Sequence, residues 1–462
     1  MSTIAIILSL LMLMYFAYRG MTVLLLAPLL AIFAVVLSGD GIMMMPKYTE
    51  TFMTALSGYL LNFFPVFLFG ALFGQLMADS GAAAGIAKGI VKMLGSRQAI
   101  LTVIIACGLL TYGGVSLFVV AFAIYPISKV LFREANIPKR LIPATIALGS
   151  FTFSMTALPG TPAATNAIPM PFFNTNAFAA PGLGLIGAAV MFVGGWLWLQ
   201  SRARKAAANG EGYGEHTSEK DEDMSALDSN VMPFGLAILP LILVIAVNAL
   251  LTYGIFPNVD FSSITEAFPN LAIKGRLGLW AIITSLAVAC AVLIALRLGK
   301  WKSLQGTVNK GVYGSMLPIF NTASEVGYGA VVASLAGFAI IRDSVLNVSS
   351  NPLVSEAVAM STLAGITGSS SGGLSIALKA LGEDYLRMAM EAGIDPELLH
   401  RVAVMAAGGF DTLPHCGAII TLLSICHLNH KQSYLNIAMV TIAIPVLAVI
   451  TVITLGTMFG SF

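Results

Sequence analysis

The chain has 462 residues, of which 57% are hydrophobic and only 10% are charged. Soluble domains carry about 25% charged residues, so this composition excludes an ordinary soluble protein. The net charge of +2 gives no reason to expect nucleic acid as a partner. Apolar runs of about 20 residues, the length that crosses a bilayer, recur from end to end. The sequence therefore predicts an all-α polytopic protein embedded in a lipid bilayer.

The first predicted element, 3–18, has no basic segment before it and no small-residue cleavage site after it. It is therefore predicted as a retained helix rather than a signal peptide. Two later apolar segments are interrupted by glycine and serine, and each predicts a re-entrant hairpin, near 99–128 and near 353–378. The full crossings are predicted near 3–18, 22–38, 52–78, 140–175, 183–200, 233–256, 277–297, 312–341, 398–427 and 434–458.

One long hydrophilic stretch, 201–230, divides the chain almost in half. Its mixed charge predicts a solvated linker over 201–232, between a first unit at 1–200 and a second at 233–462. Because lysine and arginine collect on cytoplasmic loops, the linker is expected in the cytoplasm and both termini outside it. In this arrangement four basic residues fall on the opposite side, namely Lys274, Arg276, Lys379 and Arg387.

The two halves share short motifs in the same order. With five crossings and one hairpin in each half, the second copy is expected to be inverted relative to the first. Inverted repeats with discontinuous helices are typical of secondary transporters. The matched pairs are FPVFLFGALFG (64–74) with LPIFNTASEVG (317–327), GGVS (113–116) with GGLS (372–375), GSF (149–151) with GGF (408–410), and TALPGTP (156–162) with DTLPHCG (411–417).

The glycines and serines of the hairpins predict the tips at which the chain turns back. Glycine permits a tight reversal. Non-helical backbone at membrane depth is tolerated only where it is buried in protein or lines a watery cavity. Serine hydroxyls and backbone N–H groups at a helix start can bind an anion. The predicted substrate-binding residues at the tips are Gly113, Gly114, Ser116, Ser369, Ser370, Ser371, Gly372 and Gly373.

The spans near 140–175 and 398–427 are predicted to be broken at Pro159, Pro162 and Pro414. Proline removes a backbone donor and clashes with the preceding turn, so carbonyl groups are exposed there. A simple proline kink is the alternative. The polar residues that crowd these breaks extend the predicted substrate site to Thr156, Thr161, Asn166, Thr412 and His415.

The segments FNTASEVGYGAVVASLAGF (320–338) and GITGSSSGGLSIAL (365–378) resemble the gluconate permease (GntP) family of the ion transporter superfamily. The branch that they resemble most handles hydroxy acids such as 3-hydroxybutyrate, and the resemblance covers nearly the whole chain. It implies a proton-coupled importer of small organic anions in the bacterial inner membrane. It also implies a dimer with elevator-like motion, and two hairpins and two unwound helices around one site.

Carboxylates inside apolar segments are functional candidates because burying their charge is costly. Glu325 and Asp411 are predicted to couple transport to a cation, either as proton carriers or, for Asp411, as a Na⁺ ligand. Their repeat positions hold Leu72 and Thr152, so coupling is expected to be asymmetric. The weaker candidates are Asp79 and Asp343, expected at interfaces, and Glu356, near the start of the second hairpin.

No arginine or lysine is placed in the middle of a predicted span, which favours a monoanionic substrate. The leading hypothesis is import of a hydroxy acid or sugar acid with H⁺ rather than Na⁺. A Na⁺/H⁺-type antiporter that uses Asp411 and Glu325 is the alternative, and a channel is disfavoured by the broken helices. Motifs of membrane enzymes, metal sites and phosphate loops are missing from the sequence, so neither an enzyme nor a cofactor is expected.

Overall fold

The computed structural model describes residues 2–214, 231–414 and 416–462. These residues form helices, turns and loops without any strand, which confirms the all-α prediction. The first half contains α1 (Ser2–Tyr18), α2 (Val23–Leu37), α3 (Met44–Pro46), α4 (Met53–Asp79), α5 (Ala82–Leu94), α6 (Ala99–Tyr112), α7 (Leu117–Glu134), α8 (Ile142–Ser150), α9 (Phe153–Thr156), α10 (Ala164–Ala167), α11 (Met170–Phe173) and α12 (Pro181–Ala208).

The second half contains α13 (Phe234–Ala249), α14 (Ser262–Ala267), α15 (Lys274–Leu296), α16 (Leu304–Ala333), α17 (Phe338–Leu346), α18 (Pro352–Thr367), α19 (Ser370–Glu391), α20 (Pro396–Phe410), α21 (Gly417–Ile425), α22 (His430–Ala438) and α23 (Ile444–Phe459). Wider π-helical turns, with hydrogen bonds between residues five apart, continue three of these helices. They are Lys47–Phe52 before α4, Leu250–Ile255 after α13 and Met439–Ala443 before α23.

Several continuous helices are long and apolar enough to cross a bilayer, so the protein spans a membrane several times. Within the described ranges there are five, and the bent pair α16–α17 gives a sixth. The number of crossings predicted from the sequence, ten, also counts shorter apolar helices and broken spans, so that number stays a prediction. The five helices are Gly41–Asp79, Pro181–Ala208, Phe234–Asn258, Lys274–Leu296 and His430–Phe459.

Both halves have the same order of elements: a long helix, a short helix, a helical hairpin and a broken helix. These are α4 to α11 in the first half and α16 to α21 in the second. The two helices that begin each half pack on the opposite half. For example, Thr22 and Leu24 donate hydrogen bonds to Asn321 of α16, whereas Phe234 of α13 packs against Gly89 of α5. This reciprocal packing joins the halves into one body.

The predicted span 312–341 is wrong as a single helix, because α16 ends at Ala333 and α17 leaves it at 101°. The N-terminus of α1 explains the position of the bend. Gly337 donates its N–H to the Ser2 hydroxyl at 3.0 Å, and its carbonyl accepts from the Thr3 hydroxyl at 3.2 Å. A Cβ atom on Gly337 would overlap this backbone, so only glycine permits the close approach.

The hydrophilic stretch predicted from residue 201 onward is helical at its start, since α12 continues to Ala208. The following residues fold back on the loop before α8, where Arg140 donates two hydrogen bonds to Glu211, at 2.6 and 2.7 Å. This contact lowers the pKa of Glu211. Residues 215–230, which make up half of the predicted linker, lie outside the part of the chain that the structure describes.

Candidate functional site

The tip of the second hairpin is a reversal between α18 and α19. Gly368 adopts a left-handed conformation with φ of +64°, which ends α18 as glycine commonly does. Ser369 then caps α19, and its hydroxyl accepts the N–H of Gly372 at 3.1 Å. The hydroxyl of Ser371 lies 3.3 Å from that of Ser369 and 3.4 Å from that of Thr322 on α16. The predicted serines therefore form one polar cluster at a helix start.

Glu325 of α16 approaches this tip from one side. Its carboxyl group lies against Gly372 so closely that a Cβ atom on that glycine would overlap Oε2. The residue is only 3% exposed, and Oε2 has no hydrogen-bond partner among the described residues. Tyr59 of α4 is the neighbouring titratable side chain. The structure thus brings Glu325 into the predicted substrate site, at the first turn of α19.

Asp411 approaches the same tip from the other side. It follows the end of α20 at Phe410, and α21 begins only at Gly417, so the helix is broken where the sequence predicted. The carboxyl group of Asp411 lies against the hydroxyl and the backbone N–H of Ser370. Its Oδ1 atom is buried and has no partner in the described parts of the chain. Two carboxyl groups from different helices therefore flank one helix start.

The tip of the first hairpin packs on the break of its own half. Tyr112 donates its hydroxyl to the Pro159 carbonyl at 2.7 Å, and Gly114, with φ of +98°, leaves room for the ring of Pro162. Gly113 lies against Leu241, and the backbone of Ser116 lies against Gly74. Of the predicted residues, Gly114 therefore lies against the broken helix α8–α11, whereas Gly113 contacts α13 and Ser116 contacts α4.

That broken helix is held by a buried network centred on Asn166. Its amide group donates to the carbonyls of Thr161 and Ala177, at 2.9 and 3.0 Å. Its side-chain oxygen lies 3.2 Å from His400 Nε2 and accepts from Arg401 at 3.4 Å. Both amide hydrogens and both acceptor positions are therefore used within the protein. The network links the first half to α20.

Arg401 is a basic residue inside the predicted span 398–427, where it lies near the start and not in the middle. It is completely buried on α20 and donates to the Ala179 carbonyl at 2.7 and 3.1 Å and to the Thr156 carbonyl at 3.2 Å. Backbone carbonyls at the first break, which have no helical partner among the described residues, therefore accept hydrogen bonds from the guanidinium group of Arg401. Sequence reasoning missed Arg401 and its neighbour His400, although both lie inside the predicted broken span 398–427.

The remaining predicted residues are distributed as follows. Thr156 packs against Gly408 of α20, next to the network, and its hydroxyl donates to the Thr152 carbonyl. Thr412 turns away from the serine tip, because its hydroxyl bonds to Gly409 O and lies 2.7 Å from that of Thr441. His415 lies outside the described residues. The structure therefore gathers Glu325, Asp411 and the serine tip into one site and separates Thr412 from it.

A multi-spanning helical bundle with paired hairpins, broken helices and buried carboxyl groups is the architecture of a membrane transporter. The model of the GntP family permeases matches residues 1–312. The chain is also 45% identical, over the full length of both proteins, to the uncharacterized transporter YxjC of Bacillus subtilis (strain 168). The chain belongs to the GntP permease family, which confirms the resemblance seen in its motifs.

Two solved transporter structures share the fold at low sequence identity. MtrF of Neisseria gonorrhoeae, described as illuminating a class of antimetabolite efflux pumps, aligns with a TM-score of 0.59 at 13% identity. The alignment covers 91% of this chain and 84% of MtrF. The YdaH transporter of Alcanivorax borkumensis, described as having an unusual topology, aligns with a TM-score of 0.56 at 14% identity. That alignment covers 91% of this chain and 89% of YdaH.

Proposed function

We propose that this permease is a secondary active transporter that imports a small organic monoanion together with H⁺ rather than Na⁺. The substrate class is a hydroxy acid such as 3-hydroxybutyrate or a sugar acid such as gluconate. One observation carries the proposal: the serine tip of α19, a natural anion site, lies between the carboxyl groups of Glu325 and Asp411. An anion site and two proton-binding groups thus share one place.

The geometry suggests how the two ligands are coupled. Asp411 lies beside Ser370, whose hydroxyl and backbone N–H are donors that a substrate carboxylate needs. When Asp411 binds a proton, its attraction for these donors weakens, and the positive end of α19 becomes available to the substrate. Glu325, against Gly372, must also be neutral when an anion enters, because like charges repel at this distance. Proton binding is therefore expected to precede substrate binding.

Arg401 is a poor candidate for the anion site even though it is a fully buried cation. Its Nε and Nη groups already donate to the carbonyls of Ala179 and Thr156 and to Asn166. A substrate would have to displace these bonds, and the buried carbonyls would lose their donors. We therefore assign Arg401 to the integrity of the first break and the anion to the serine tip. One helix start and a few hydroxyls suit a single negative charge.

The remaining parts of the proposal come from the resemblance to the family. They are an elevator-type alternation of access, a homodimer and a location in the bacterial inner membrane. The cytoplasmic position of the linker is proposed from the distribution of lysine and arginine. A Na⁺/H⁺-type antiporter is the second candidate, and the unpartnered oxygens of Glu325 and Asp411 favour it. A pure cation exchanger does not need the serine cluster, so the symporter accounts for more of the site.

Uptake of labelled 3-hydroxybutyrate and gluconate into proteoliposomes tests the proposal. An inward proton gradient and an inward sodium gradient are imposed separately on the wild type, Ser370→Ala and Asp411→Asn. Asp343→Asn serves as the control, because Asp343 has a side chain that is 67% exposed on α17. Uptake of one acid under the proton gradient should be lost in Asp411→Asn and weakened about tenfold or more in Ser370→Ala. It should persist in the control.

Two results would contradict the symporter. If no acid enters while a sodium gradient drives proton flux, the antiporter is the better description. If an acid enters but Asp411→Asn keeps its accumulation and its dependence on pH, coupling does not involve Asp411. Substrate exchange without a gradient separates binding from coupling, because Asp411→Asn imitates the protonated form and should retain exchange.

A further inference from the structure

Glu356 of α18 is a buried carboxyl group that the site described above does not use. The residue is 0% exposed, and neither Oε1 nor Oε2 has a hydrogen-bond partner within the described ranges. At a rise of about 1.5 Å per residue, it lies about 18 Å from Gly368 along α18. Glu356 therefore lies in the body of the same hairpin whose tip faces Glu325 and Asp411.

The surroundings of Glu356 provide no charge to stabilise an ionised carboxylate. On α19, Tyr385 is close enough to interact with Glu356, and its hydroxyl donates to the Ser355 carbonyl at 3.2 Å. Helices α1 and α23, which pack on α18, contain no acidic or basic residue. On α20, Arg401 and His400 are engaged with Asn166, and Glu397 accepts from the N–H of Ala180.

Beyond Glu356, towards the open end of the hairpin, lies a cluster of ion pairs. Arg342 of α17 donates to both carboxylate oxygens of Asp384, at 2.5 and 2.7 Å. Arg387 contacts the same carboxylate at 2.9 Å, and its side chain is 62% exposed. Asp343, the other acid of α17, lies 4.0 Å from Arg342. Glu356 is thus an unpaired acid between the site at the tip and a polar cluster that reaches the surface.

Burial without a partner strongly disfavours an ionised carboxylate, so this conformation accommodates Glu356 as the neutral acid. We propose that Glu356 is a further proton-binding site of the transport cycle, separate from the two carboxyl groups at the tip, and that it carries one proton with each organic anion. The carboxylate accepts a proton from hydronium on the side of high proton activity, and the acid returns it to water on the other side. This proposal rests on the proposed function for its cargo.

The experiment compares the wild type with Glu356→Gln and Glu356→Met in proteoliposomes that contain a pH-sensitive dye. Glutamine imitates the neutral acid, whereas methionine fills a similar volume without polar atoms, as buried sites often tolerate. Glu383→Gln is the matched control, because Glu383 lies on the same hairpin but is exposed. The dye reports the protons that enter and the label reports the acid, which together give the number of protons per acid. Thermal unfolding shows which variants are folded.

Both Glu356 variants should carry one proton fewer per acid than the wild type, and Glu383→Gln should match the wild type. An unchanged ratio in a folded Glu356 variant overturns the proposal and leaves Glu356 as a neutral packing residue. Proton binding by the purified proteins is measured separately, without substrate, by titration in unbuffered solution.

The wild type should take up one more proton than Glu356→Gln on acidification, and an equal count again overturns the proposal. The titration does not depend on the identity of the cargo. If the wild type imports no acid but shows the extra proton, the proposed function fails while the proton site stands.

Discussion

The two adjacent glycines at the start of α19 provide a matched pair of substitutions, Gly372→Ala and Gly373→Ala. The atoms nearest to a Cβ atom on Gly372 would be those at the end of the flexible Glu325 side chain. A Cβ atom on Gly373 would overlap the backbone of Ala364 and Leu363, which cannot move without separating α18 from α19. The same chemical change should therefore produce two different defects.

The magnitudes follow from these contacts. Alanine is favoured over glycine in a helix by about 0.5–1 kcal/mol, and this gain applies to both variants. Overpacking costs about 1–3 kcal/mol or more, and at Gly373 it falls on backbone atoms. Gly373→Ala should therefore lose about 1–2 kcal/mol of stability. Gly372→Ala should keep stability close to that of the wild type, because the Glu325 carboxyl group can rotate away, but it should lose proton-driven uptake.

Thermal unfolding in nanodiscs and uptake under a proton gradient measure the two effects. The expected pattern is a lowered unfolding temperature for Gly373→Ala and a normal one, with uptake reduced about tenfold or more, for Gly372→Ala. If Gly372→Ala transports like the wild type with the same dependence on pH, contact between Glu325 and the tip is not needed for coupling. A reversal of the two stabilities would refute the packing argument itself.

Two further predictions concern the polar contacts outside the serine tip. Arg401→Lys should cost about 2–4 kcal/mol in the free energy of unfolding, because a lysine cannot reproduce the donor fork that bonds the carbonyls of Thr156 and Ala179. A raised KM with unchanged stability would instead assign Arg401 to substrate binding. Glu211→Gln should cost at most about 1 kcal/mol at neutral pH, since its contact with Arg140 is partly exposed.

The contribution of Glu211 depends on pH in a defined direction. Because the pKa of Glu211 is lowered in the folded protein, its stabilisation is present above the ordinary pKa of glutamate and is lost on acidification. Unfolding temperatures of the wild type and Glu211→Gln should therefore differ slightly at neutral pH and converge in acid. A difference that persists in acid would show that another contact is lost in the variant.

The serine tip and its two carboxyl groups could be predicted from the sequence because their signals are local. A run of glycine and serine inside an apolar segment argues against a lipid-facing helix, whichever other helices the segment packs against. Likewise, Glu325 and Asp411 stand within apolar sequence, where any carboxylate requires an explanation. Pro414, close to Asp411, also indicated a break, and α20 ends at Phe410. These features do not depend on which helices are neighbours.

Arg401 and Glu356 were missed or undervalued for a common physical reason. Each lies near the start of its helix, because α20 begins at Pro396 and α18 at Pro352, where polar residues normally reach the membrane surface. Their burial depends on distant packing instead. The carbonyls that bond Arg401 lie 222 and 245 residues away in the sequence. A short-range pattern cannot show that another segment covers a helix end.

The two breaks occupy matching places in the halves, but different groups satisfy them. In the first break, Asn166 and Arg401 bond the exposed carbonyls, so the cation there is part of the protein and stays in place. In the second break, Asp411 faces the serine tip with one oxygen unpartnered among the described residues. A proton from solvent can change the charge there, whereas the charge at Arg401 is fixed. The repeat thus supplies two similar breaks, and the asymmetry of their polar residues places the proposed coupling in the second.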